Sequence, residues 1–218
     1  FKVLFNKEGQ GSYFDPVFEM ANDSIVEEKG KFSTMVIKDD AINWLKNRKD
    51  DTKPFMLMYQ FKAPHRPWDP GPGYEDYLSD VTLPYPETFN DKYEGRKAAK
   101  DAWMRIDGHM NRKDVKIKPP SGLTEEELIA WNKYGNEDGE FWTPDPKMTD
   151  QERKNWKYQR YVKDYLRVVK GVDDAIGEML NHLEVSGLAE NTIIVYTSDQ
   201  GFYLGEHGWF DKRFMYEE

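Results

Sequence analysis

Residues 192–212 read TIIVYTSDQGFYLGEHGWFDK. The first five are apolar or β-branched, as in a short buried strand. They run straight into an acid, an amide and a glycine, Asp199-Gln200-Gly201. A loop bracketed by Gly205 and Gly208 then reaches Lys212. A strand that ends this way suits a loop that holds a charged group. In open α/β sheets such loops lie beyond the carboxyl ends of the strands, where ligands bind.

Working outward, the segment before this strand has the clearest helical pattern in the chain. Thr149 and Glu152 form a capping-box pair. Tyr158, Tyr161, Tyr165, Val168, Val169, Val172, Ile176, Met179, Leu180 and Leu183 then hold one apolar face for about seven turns. Ser186-Gly187 supplies the stop, with glycine at the C-cap. A similar pair of elements stands near the start of the chain. Residues 33–48 recur at helical spacing through Val36, Ile37, Ala41, Trp44 and Leu45, and residues 55–61, FMLMYQF, read as a second buried strand. Both strands follow helices, so the expected fold is α/β, with a largely parallel sheet flanked by helices. The remainder reads as long loops at 63–123 and 135–148. Short helices are expected around Lys92–Met104 and after a second capping-box pattern at Thr124–Glu127.

The chain has 218 residues, enough for one domain with a real core. Its formal net charge of −9 argues against bulk affinity for nucleic acid or an anionic membrane. It has no cysteine, which removes disulfides and thiolate metal sites. No stretch is apolar enough to span a bilayer. The chain begins at Phe1 without a methionine or a signal peptide, and is expected to be a mature product or an excised piece of something longer.

Three constellations could carry chemistry. Asp199 and Gln200 offer hard oxygen ligands suited to Ca²⁺ or Mg²⁺, although two ligands cannot complete a site that wants six to eight oxygens. The plain alternative is an aspartate capping a turn. Lys212 could grip an anion as a point charge, or be an ordinary surface lysine. His65 sits between Pro64 and Pro67 in 62-KAPHRPW-68. A stiff loop suits a proton donor, and Lys62 and Arg66 add charge beside it. A histidine that merely packs the loop is the alternative. Asp173 and Asp174 lie in mid-helix and read as structural partners of nearby bases. His109 and His182 have no comparable setting.

Taken in order, KAPHRPW after a strand, the helix YLRVVKGVDDAIGEML, and TIIVYTSDQGFYLGEHGWFDK resemble the type I sulfatases of the alkaline phosphatase superfamily. The resemblance runs from about Lys31 onward and is sharpest over residues 161–218. It implies part of an alkaline phosphatase-like sandwich and hydrolysis of sulfate esters by a formylglycine, which is made from Cys or Ser in a C/S-x-P-x-R motif. It implies Ca²⁺ rather than Mg²⁺, held by an early aspartate pair together with Asp199 and Gln200. It maps the active-site lysine onto Lys212 and the histidine that helps the leaving oxygen depart onto His65. Lys62, Arg66 and His207, with Glu206 beside it, become candidates for substrate contact. The general look is nearer to bacterial glycan sulfatases, among them the N-acetylglucosamine-6-sulfatase type. A sulfated saccharide substrate and a periplasmic or secreted parent protein follow from that likeness.

The chain departs from the family in one decisive way. It has neither a cysteine nor a Ser-x-Pro-x-Arg sequence. The early aspartate pair is absent as well. Residues 1–218 are therefore expected to form a single partial sulfatase domain, with half a metal site and no nucleophile, inactive alone. Two alternatives stand. One is a phosphodiesterase or phosphonate hydrolase of the same superfamily, against which Gln200 argues as a poor ligand for a second transition metal. The other is a catalytically dead protein that binds sulfated glycans.

Overall fold

A computed structural model of the chain describes residues 2–4, 11–49, 52–117, 122, 124–126, 128 and 147–216. The chain divides into two compact units. The first comprises residues 1–77 and 164–195, the second residues 78–163 and 196–218.

The first unit opens with an antiparallel meander of β1 (Lys2–Leu4), β2 (Val17–Met20) and β3 (Ile25–Glu27). Phe18 of β2 lies opposite Val26 of β3 and is buried. Helix α1 (Ser33–Lys46) begins at its expected residue and ends two short of the expected 48. It buries Val36, Ala41 and Leu45. Trp44, read from sequence as part of that face, is 46% exposed and lies edge-on to Phe55.

Helix α3 (Asp150–Val185) gives residues 164–185 to this unit. Ala41 and Leu45 of α1 meet Met179 and Leu183 of α3, and Phe55, Leu57 and Tyr59 pack against them. Burial of three such large side chains contributes roughly 1.5–3 kcal/mol each. Gly187 ends α3 with φ +72°. The Leu188 N–H donates to the Leu183 carbonyl and the Gly187 N–H to the Glu184 carbonyl. That pair is the Schellman closure expected of a glycine C-cap, and Leu188 packs back onto the same cluster.

The two apolar segments expected as strands differ from expectation. Residues 55–61 and 192–196 join no ladder among the described residues. Residues 55–61 nevertheless alternate as a strand does. Phe55, Leu57 and Tyr59 turn toward the helices, while Met56 is 82% and Met58 65% exposed. Residues 193–196 are exposed throughout, with Ile193 at 93%. A ladder needs a neighbouring backbone, and apolar composition alone cannot supply one. The ladders that do form among the described residues are antiparallel.

The second unit is built on the first turns of α3 and a small hairpin. The capping box forms as expected: the Thr149 N–H donates to Glu152 Oε2, and the Glu152 N–H reaches Thr149 Oγ1. The hairpin pairs β4 (Tyr203–Leu204) with β5 (Phe210–Asp211). Residues 104–106 extend it, as the Phe210 N–H donates to the Met104 carbonyl and the Ile106 N–H to the Gly208 carbonyl. Trp209 is fully buried among Ala99, Ala102 and Met104, with Tyr93, Tyr203, Phe214 and Tyr216 around them.

Lys157 is also fully buried, and its ammonium donates to the carbonyls of Asp107 and Met110. A charge at that depth is tolerable because it is hydrogen-bonded. Helix α2 (Lys97–Asp101) is shorter than the expected 92–104. Tyr93 and Gly95 both have positive φ, which helical backbone excludes. Of the helix expected after Thr124, residues 125, 126 and 128 are helical, and the rest lies outside the described residues, as do residues 135–146 of the expected loop.

Candidate functional site

The candidate residues fall in both units. Lys62, His65 and Arg66 belong to the first, and Asp199, Gln200, His207 and Lys212 to the second.

In the first unit, the 62–68 loop is tightly organised. The His65 N–H donates to the Lys62 carbonyl at 2.9 Å. The His65 carbonyl accepts the Tyr13 hydroxyl at 2.6 Å. His65 Nδ1 lies 2.8 Å from the Arg66 carbonyl. A carbonyl can only accept, so Nδ1 carries the proton in that contact. Lys62 is buried, with its ammonium 5.1 Å from the centre of the Tyr13 ring. Burial holds its pKa below the ordinary lysine value, with a partial offset from Asp69. Trp68 closes the loop, fully buried at φ +57°. His65 and Arg66 are half-buried.

In the second unit, Asp199 and Gln200 are exposed. Ser198 Oγ donates to the Gln200 carbonyl at 2.8 Å and shapes the turn. A carboxylate and an amide oxygen fit a hard cation such as Ca²⁺ in kind. Among the described residues no group of three or more His, Cys, Asp or Glu is arranged to hold a metal ion. The donor set is thus compatible with Ca²⁺ but incomplete.

Lys212 follows β5 directly and is half-buried. Its N–H donates to Asp211 Oδ1 at 2.8 Å. Asp211 is buried, has φ +79° and also pairs with Arg213. The hairpin and the Asp211 turn together set where the Lys212 side chain begins.

His207 is placed unlike a surface contact residue. It is only 6% exposed. Its Nδ1 meets Asp91 Oδ2 at 2.6 Å, its N–H donates to Thr88 Oγ1 at 3.0 Å, and its carbonyl accepts the Tyr93 hydroxyl. Trp209 and Tyr216 enclose the ring. Burial works to raise the Asp91 pKa, but Arg96, the Tyr93 N–H and His207 outweigh it and hold it down to about 2. Sequence reading missed Thr88, Asp91 and Tyr93. They lie 114 to 119 positions from His207, so no local pattern connects them.

A pH-dependent prediction follows. A carboxyl held at about 2, below its ordinary 3.8, favours the folded state above that ordinary value. The contribution fades as pH falls through about 2. Asp91→Asn in the full-length protein should lower the urea midpoint at pH 6, and its gap from wild type should close between about pH 4 and pH 2. A gap that stays constant down to pH 2 would place the stabilisation in packing rather than charge.

Asp173 and Asp174 pair with a nearby base, as expected: Lys170 meets both, and the Tyr74 hydroxyl donates to Asp174.

Comparison with known proteins places the chain in a family. The family model described as Sulfatase matches residues 3–217, and the chain belongs to the sulfatase family. It is 44% identical to an N-acetylglucosamine-6-O-sulfatase of Bacteroides thetaiotaomicron over 99% of this chain and 41% of that protein. It is 26% identical to an arylsulfatase of Clostridium perfringens over 87% of this chain and 31% of that protein. It is 25% identical to the human N-acetylglucosamine-6-sulfatase over 85% of this chain and 26% of that protein. A solved structure matches all of this chain and 47% of its own, with a TM-score of 0.82 and 42% identity. That protein is described in complex with its substrate D-glucosamine-2-N,6-O-disulfate. The fold is therefore closely similar to that of a sulfatase. The chain spans less than half the length of the curated relatives it matches.

Proposed function

We propose that this chain is the portion of a glycan sulfatase that carries the leaving-group and sulfate-gripping side of the active site. The observation that carries the proposal is the 44% identity to an N-acetylglucosamine-6-O-sulfatase over 99% of the chain. The substrate is then a saccharide bearing a 6-O-sulfated glucosamine, and the whole protein is periplasmic or secreted, as expected from the resemblance. Both compact units belong to one sulfatase domain on this reading. Residues 55–61 and 192–196 are strands of its largely parallel sheet, completed by chain outside these 218 residues.

Each residue has a role set by its chemistry. Sulfate-ester cleavage leaves charge on the departing alcohol oxygen and keeps it on the sulfuryl oxygens. His65, fixed at three points with Nε2 as its working nitrogen, protonates the departing oxygen. Lys212 holds a sulfuryl oxygen as a point charge. Lys62 and Arg66 steer the anionic saccharide. His207 serves substrate binding through the loop it anchors rather than through its enclosed ring. Asp199 and Gln200 supply two of the oxygens around Ca²⁺. When bound, that cation polarises the sulfate, and a formylglycine elsewhere in the protein supplies the attacking oxygen.

The test is sulfate release from N-acetylglucosamine 6-sulfate by the full-length protein and by residues 1–218 alone. We expect turnover by the full-length protein, lost on chelation and restored by Ca²⁺, and none by the shorter chain. Release of phosphate from a diester without sulfate release would favour a phosphodiesterase. Saturable binding without turnover would favour a glycan-binding protein. Turnover by residues 1–218 would overturn the reading that the nucleophile lies elsewhere.

A further inference from the structure

We infer that Tyr13 is a positioning residue for the reaction, holding the His65 loop in its working geometry through its hydroxyl. The inference rests on the reading of His65 as the proton donor.

Tyr13 is 2% exposed. Its hydroxyl donates to the His65 carbonyl at 2.6 Å, across 52 positions of sequence. The same ring lies beneath the Lys62 ammonium at 5.1 Å. One side chain therefore touches both ends of the stretch 62–65. The hydroxyl is a dependable donor, because burial first, then Asp69 and Tyr165, push its pKa well above the ordinary tyrosine value.

The mount beneath it is firm. The Tyr13 ring stacks on Phe32 with centroids 5.9 Å apart and planes at 19°. The Ser33 N–H, at the first residue of α1, donates to the Tyr13 carbonyl at 2.7 Å. Phe14 and Phe32 form an antiparallel bridge beside it. Tyr13 is thus tied to the start of a helix and passes that fixity to a loop with no regular structure of its own. A proton donor must sit within a few tenths of an ångström of the departing oxygen to be effective. Without the hydroxyl, the His65 carbonyl loses that donor and the residue loses one of its three fixed points.

The experiment is Tyr13→Phe in the full-length protein, which removes the hydroxyl and keeps the ring on Phe32. Two substrates are compared: a 6-O-sulfated N-acetylglucosamine, whose alcohol leaves poorly, and an activated aryl sulfate, whose phenol leaves without help. We expect kcat on the sugar sulfate to fall about 10-fold with KM within about twofold. The loss on the aryl sulfate should be at most about twofold, because proton donation matters little there. Equal losses on both substrates in Tyr13→Phe would make Tyr13 a merely structural residue and overturn the inference. His65→Ala separates the two levels. If it loses the sugar sulfate selectively while Tyr13→Phe matches wild type, the inference falls and the His65 reading stands. If His65→Ala loses both substrates alike, the reading of His65 falls and takes the inference with it.

Discussion

Lys212→Ala in the full-length protein should lower kcat/KM for a sulfated saccharide by about 10²–10³-fold. On the proposed reading, the lysine contributes a full charge at a site that must bind an anion and then stabilise it as the ester bond breaks. KM should rise as well as kcat fall, because the sulfate is charged before and during reaction. Stability should change by less than about 1 kcal/mol, since the side chain is half-buried and the backbone N–H bond to Asp211 survives substitution. Lys212→Arg should recover only part of the loss, because a planar fork does not reproduce a compact ammonium at the same distance. Steady-state kinetics on the purified variants decides the matter. A variant within threefold of wild type would leave Lys212 an ordinary surface lysine.

Gly205→Ala should be strongly damaging for the second unit, costing about 3 kcal/mol or more. Two effects add. Gly205 has φ +112°, where any side chain is strained. A Cβ there would also lie 2.5 Å from Tyr158 Cε2 and 3.3 Å from Pro86 Cδ. Tyr158 cannot yield cheaply. It is buried, its hydroxyl donates to the Pro84 carbonyl at 2.6 Å, and Tyr85 and Phe89 pack against its ring. Gly187→Ala is the control. Gly187 also has positive φ, but nothing stands within 4 Å of its would-be Cβ, so only the backbone term of about 1–2 kcal/mol applies. Denaturant unfolding of the two full-length variants compares them directly. Equal losses would mean that the Tyr158 ring moves aside.

What the sequence made legible, and what it hid, divides by distance along the chain. Helices α1 and α3 could be read because their bonds and faces are local. Thr149 and Glu152 are three residues apart, and Leu183, Glu184, Gly187 and Leu188 close a single turn. The family could be read because Asp199 to Lys212 is one uninterrupted stretch. The strands could be recognised only as candidates. Residues 55–61 have the right alternation, yet a ladder depends on a backbone elsewhere. The β2–β3 hairpin turns at Ala21–Ser24, with Asp23 at φ +62°, and sequence reading missed the turn signal of Asn22-Asp23-Ser24. The partners of His65 and His207 were hidden for the same reason. Tyr13 and Asp91 are unremarkable residues locally and acquire meaning only when the chain folds back on itself. His207 shows the cost of inferring exposure from a motif: a histidine between two loop glycines looks accessible, and here it is enclosed by Trp209 and Tyr216.

The exposed ribbon at Ile193–Tyr196 has a consequence for handling and for evolution. It is short, β-branched, uncharged and free of proline, with no ladder partner among the described residues. Those are the properties that favour cross-β stacking between copies. On the proposed reading, sheet neighbours from the rest of the protein cover it and then do two jobs. They complete the fold, and they act as a built-in guard against self-association.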